Sequence, residues 1–254
     1  MTYDPREVAK VRTPVLIVSA VTWALLLAGP GGGGTSTHHA AGHAGAMPSS
    51  SLHMHPAIDP PAALAAGWVL MLVAMMSPVL IWPVSHIRLR SFAHRRARAI
   101  TLFVAAYAAT WIALGGMLVA VALTVMPTAP QSYLPAAGAA VIAFVWQCSP
   151  IKQRCLNRCH AYPELAAFGA AADIDALRFG TTHGIWCAGS CWALMLVPML
   201  VPSGHLVAMA AAAVLVFSER LEGARPPGWR VRGLGKAMRI VVAQARMRFE
   251  AAAS

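Results

Sequence analysis

Charge is scarce in this sequence: Asp, Glu, Lys and Arg make up only 11% of its 254 residues, while 58% are hydrophobic. An ordinary soluble domain is about 25% charged, so the composition argues against a freely soluble protein and for an integral membrane one. Acidic residues are the rarer sign, nine against 20 Lys and Arg, for a formal net charge of +11. Cysteine is sparse too, with five residues at 148, 155, 159, 187 and 191. There is no phosphate-cradling Gly loop, no His-Glu-x-x-His and no credible Ser/His/Asp set. The chain therefore reads as a carrier or binding protein before it reads as an enzyme.

The strong basic balance would suit nucleic acid, so the placement of the cations has to decide. They fall in four clusters: Arg6, Lys10 and Arg12; Arg88, Arg90, Arg95, Arg96 and Arg98; Lys152, Arg154, Arg158 and Arg178; and eight more from Arg220 to Arg248. No aromatic residues interleave with them as a nucleic-acid groove requires. The intervening apolar runs are long enough for a bilayer core and predict six helical spans, at roughly 13–30, 62–85, 99–126, 134–150, 179–201 and 203–219. With both termini cytoplasmic, every Lys and Arg then lies on one side, as the positive-inside rule expects. The predicted fold is an all-α polytopic bundle forming a single membrane domain over 1–254. The first span also resembles a secretory signal, but without a clear cleavage site it is expected to be a retained helix.

Between the spans, 31–61 reads as a flexible outer loop rich in Gly, Ser and Pro, holding His38, His39, His43, His53 and His55 with Met47 and Met54. Such a tract either collects copper or zinc or is a polar spacer. The inner segment 151–177 is expected to carry a short amphipathic helix near 162–171. The basic tail 220–254 places Leu234, Met238, Val241, Ala245 and Phe249 on one helical face, suited to lying on an anionic lipid surface.

The fifth span poses the chemical question, since His183, Cys187, Cys191, Met195 and Met199 recur at four-residue intervals. Four residues advance a helix by about 6 Å and 400°, so these side chains stack with little drift over about 24 Å. From outside inward the order is thioether, thiol, imidazole. Soft sulfur ligands select Cu(I), with Zn(II) another user of cysteine. Packing explains the same residues: Cys behaves as a small hydrophobe and Met as a gap-filler, and Gly180, Gly184 and Ala188 form a small-residue face for close helix approach. Met71 and Met75 pose the same choice in the second span, where Pro78 loosens the helix.

The cysteines lie at mid-membrane or further in, with none in an outward loop, so free thiols rather than structural disulfides are expected. In Trp-Gln-Cys-Ser-Pro-Ile-Lys-Gln-Arg-Cys-Leu-Asn-Arg-Cys-His, the thiols of Cys155 and Cys159 and the imidazole of His160 stand among Lys152, Arg154 and Arg158. Such cations favour the metal-binding thiolate.

Three motifs in order, AMMSP in the second span, WQCSPIKQRCLNRCH after the fourth and HGIWCAGSCWALM in the fifth, resemble a bacterial family of predicted metal-binding integral membrane proteins of unknown function. The resemblance covers roughly 65–222. It implies a multi-pass inner-membrane protein with a metal site, whose matching positions are Cys155, Cys159, Cys187, Cys191, Met75, Met76, His183 and Glu219. Relatives carry Tyr-Gln-x-Thr-Pro-Leu-Lys where this chain has Trp146 to Lys152, so Cys148 is a local addition. They also carry Cys-x-Gly-Cys-Cys where this chain has Cys187, Ala188, Gly189, Ser190 and Cys191, which keeps only the pair one turn apart.

The leading expectation is a membrane protein that binds, and moves or delivers, Cu(I). Met195, Met199, Met71 and Met75 would accept the ion, Cys187 and Cys191 hold it beside His183, and Cys155, Cys159 and His160 take it inward toward a metallochaperone or metalloprotein client. The alternatives are a thiol-disulfide membrane enzyme and a structural subunit in which the cysteines only pack.

Overall fold

The computed structural model describes residues 5–28, 61–125, 132–231 and positions 235, 239, 242 and 243. The His-rich outer loop and most of the expected tail helix lie outside the described residues. Within them every regular element is a helix: α1 (Pro5–Ala28), α2 (Pro61–Met76), α3 (Ile81–Arg90), α4 (Arg96–Val125), α5 (Leu134–Cys148), α6 (Pro150–Cys159), α7 (Gly169–Leu200) and α8 (His205–Arg220).

Proline sets the breaks. Pro78 lacks the N–H an α-helix needs, and α2 passes into α3 through one turn of 3-10 helix at Ser77–Leu80. Ser149 is extended (φ −66°, ψ 140°) and its hydroxyl accepts from the Ile151 N–H, capping α6 with Pro150 in its first turn. The chain bends by 69° there. The short helix expected near 162–171 is instead this upstream one, because the Ser-Pro cap starts a helix at 150; residues 161–166 have no regular structure.

Four helical stretches, 6–28, 66–90, 96–125 and 169–200, are long and apolar enough to cross a membrane, and a fifth if the bent α5–α6 pair is one span. The sixth expected span falls on α8, a helix of 16 residues that reaches about 24 Å, short of a core of about 30 Å, so it is not among these stretches. The outside of the bundle is apolar, with Ile112, Met117, Val141 and Phe144 all more than half exposed, as a lipid-facing surface would be.

Helix α7 is the axis of the bundle and packs against α4, α5, α6 and α8. Its glycines make the closest of these contacts possible. A Cβ on Gly180 would collide with the Phe103 carbonyl oxygen, and one on Gly184 would lie 2.9 Å from Thr110 Cβ. The small-residue face is thus a real packing surface, against α4. At one end of the bundle, Asp173 pairs with Arg95 and Arg98 at 2.8 Å each, Glu7 with Arg88 at 3.3 Å, and Asn157 donates to the Arg225 carbonyl at 2.7 Å. Segments bearing all four basic clusters therefore gather at that end.

Replacing Gly180 by Leu should destabilise the purified protein by about 3 kcal/mol, the upper end of what overpacking usually costs, because the new side chain meets backbone. Gly116→Leu, where a new side chain meets open space, should be near neutral; thermal or denaturant unfolding in the same detergent compares the two.

Candidate metal centre

The ladder on α7 is buried along its whole length, from His183 (4% exposed) through Cys187 (0%), Cys191 (1%) and Met195 (1%) to Met199 (4%). A helix surrounded on most sides buries almost any row, so what its neighbours contribute is more informative. Met71, Met75 and Met76 of α2, Cys159 of α6 and Met209 of α8 join Cys187, Cys191, Met195 and Met199 in one continuous apolar cluster. Helix periodicity placed the α7 row; the contributions of α2, α6 and α8 follow only from folding.

Within this cluster the two central thiols have different surroundings. Cys191 Sγ donates to the Cys187 carbonyl oxygen at 3.1 Å, one turn back. Cys187 Sγ instead receives the Arg220 Nη2 donor at 3.1 Å and lies 3.3 Å from Tyr107 Oη. The same Nη2 donates to Ser190 Oγ at 3.2 Å. Cys187 thus faces a guanidinium and a phenol in an otherwise apolar interior, where a positive charge suits an anionic sulfur, free or metal-bound.

His183, one turn before Cys187, is set among the rings of Phe103, Tyr107 and Phe179, with centroids 5.7–6.1 Å away. Both of its ring nitrogens are buried and have no hydrogen-bond partner among the described residues. A buried imidazole lacking both bonds carries a desolvation cost of about 1–3 kcal/mol per group. It lines a cleft of about 460 Å³ together with Cys159, His160, Tyr162, Trp82 and Arg220. His160 differs: Nδ1 is 2.8 Å from the Leu156 carbonyl oxygen and Nε2 is 3.4 Å from that of Arg220. Cys155 is buried against α7, its Sγ 3.0 Å from where a Cβ on Gly189 would stand.

The nearby cations take roles that sequence proximity did not reveal. Lys152 is fully buried and pairs with Glu219 at 2.9 Å, while Gln147 bridges both, accepting from Lys152 and donating to the Glu219 carboxylate. Arg158 lies over the Trp186 ring at 5.8 Å, and Arg154 is exposed. The cation at Cys187 comes from the end of α8, more than 30 residues away in sequence. Its only sequence signal is an acid-base pair, Glu219 and Arg220, closing an apolar helix.

Among the described residues no three His, Cys, Asp or Glu side chains converge as a ready-made metal site. The core cluster is rich in sulfur, with thioethers outnumbering thiols, and such ligands suit soft metal ions. A family model described as PpoB2, copper chaperone, matches residues 65–243. No curated protein and no solved structure matches the chain.

Removing one member of the buried ion pair should be costly. Lys152→Met should lower stability by about 3–5 kcal/mol, with Lys152→Met combined with Glu219→Gln recovering most of it, measured as a double-mutant unfolding cycle.

Proposed function

The chain belongs to this copper chaperone family, and from that premise we propose that it is a multi-pass membrane protein that binds Cu(I) at Cys187 and Cys191 and delivers it to a metalloprotein client. The observation that carries the reading is the placement of these two thiols, one turn apart and fully buried, inside a cluster whose other sulfurs are the Cys159 thiol and the thioethers of Met71, Met75, Met76, Met195, Met199 and Met209. Thioethers bind without carrying charge, so they suit the path by which the ion reaches the thiols. Zn(II), which is bound almost always by four ligands in structural sites, fits this set less well.

In this reading Met195, Met199, Met71 and Met75 receive the ion from the outer half of the membrane. His183 and Cys159, which share the cleft, take it toward the inner face, with Cys155 and His160 beside them. The membrane is the bacterial inner membrane, crossed six times with both termini cytoplasmic, α5 with α6 forming one broken span and α8 the last. The gathering of basic segments at one end of the bundle supports that orientation. A thiol-disulfide enzyme is less well supported, because exchange requires a partner thiolate to attack a sulfur directly, and Cys187 and Cys191 are 0% and 1% exposed.

Metal analysis of the full chain, purified under reducing conditions and loaded with Cu(I), tests the proposal. Cys187→Ser with Cys191→Ser should lose nearly all bound copper, and undiminished stoichiometry would overturn the reading. Met195→Leu with Met199→Leu should keep the stoichiometry but load more slowly, as stopped-flow transfer from a Cu(I) chelator would show.

A further inference from the structure

Arg220 has an unusual position for a cation in an apolar bundle. Its neighbour in sequence, Glu219, is committed to Lys152, so that pair is neutral overall. Among the described residues no carboxylate pairs with Arg220; its Nη2 donates to Cys187 Sγ and Ser190 Oγ, its guanidinium also hydrogen-bonds the Cys159 thiol, and its Nε is buried without a partner. A charge in a low-dielectric interior needs a counter-charge. Here the available one is sulfur.

We propose that Arg220 is the specificity residue of the thiol site, a built-in counter-cation that matches a monovalent soft ion held by Cys187 and Cys191 and disfavours a divalent one. The inference rests on the reading that these thiols hold the metal. The charge count carries it. As each sulfur–metal bond forms, a thiol gives up its proton to solvent, so two thiolates with Cu(I) leave one net negative charge, which the guanidinium 3.1 Å from Cys187 neutralises. Two thiolates with Zn(II) are already neutral, and the guanidinium then stands as an uncompensated buried charge. Arg220 need not touch the ion; it acts through the sulfur, and the Nη2 that donates to the sulfur also donates to Ser190 Oγ.

The test compares Cu(I) and Zn(II) affinities of the full chain in lipid nanodiscs at one pH, under anaerobic reducing conditions, by competition with a chromophoric chelator for each metal. Arg220→Gln should lose Cu(I) affinity by about 10–100-fold, the usual effect of removing a partner behind a ligand, while Zn(II) affinity holds or rises. Retained Zn(II) binding also shows that the variant is folded. Arg220→Lys, which keeps the charge, should keep most of the preference for Cu(I). Ser190→Asp, which gives the guanidinium a carboxylate, should lower the preference and covers the case in which Arg220→Gln does not fold.

An unchanged metal preference in Arg220→Gln or in Ser190→Asp overturns the assignment, as does an Arg220→Lys that loses the preference as completely as Arg220→Gln. Those results leave thiol-dependent copper binding intact. Copper retained in full by the Cys187→Ser, Cys191→Ser double variant would instead overturn the underlying reading, and the assignment with it.

Discussion

The ion pair between Lys152 and Glu219 is the constraint on which the rest of the site depends. Both side chains are buried, 0% and 3% exposed, and neither charge can be left alone in an apolar interior without a cost of several kcal/mol. To meet, the chain has to turn sharply at Ser149 so that α6 packs against α7, and α8 has to end beside it. Once Glu219 is committed in this way, the helix geometry of α8 presents the next residue, Arg220, to α7. Cys159 on α6 is drawn into the same apolar cluster as Cys187. The arrangement around the thiols is thus a consequence of satisfying a buried charge elsewhere.

Packing and metal binding are not competing descriptions of this core. The close approach of α4 and α7 at Gly180 and Gly184 is what brings Tyr107 to within 3.3 Å of Cys187, so the small-residue face that looked like the rival explanation is part of how the site is built. The methionines fill space as Met does in any core. They also leave the interior lined with polarizable sulfur, a ligand type that soft metal ions favour. A thioether that packs well in the absence of copper costs nothing to keep, so the proposed metal-handling role places no extra demand on the packing.

Among the described residues, four buried side-chain nitrogens lack a hydrogen-bond partner: Trp111 Nε1, both ring nitrogens of His183 and Nε of Arg220. His183 and Arg220 border the same cleft. His160, in the same cleft, has both nitrogens opposite carbonyl oxygens. Two imidazoles that look equivalent in the sequence therefore differ in their surroundings: one is already engaged by backbone, the other has no hydrogen-bond partner among the described residues.

By itself the sequence determined the all-helical class, the long apolar helices and the four-residue row on α7, because these follow from composition and from the 3.6-residue period of a helix. The motifs carried the family resemblance. The expected fourth span runs through Ser149 to 150, so the break there and the helix that follows it emerged only in the structure, although their cause, a Ser-Pro cap, is local. Tertiary structure alone decided which cation faces Cys187 and that Lys152 is spent on Glu219. It also decided which methionines share the cluster, Met209 among them. Those facts depend on contacts between residues tens of positions apart, where no periodicity links the partners and only the cost of burying charge selects them.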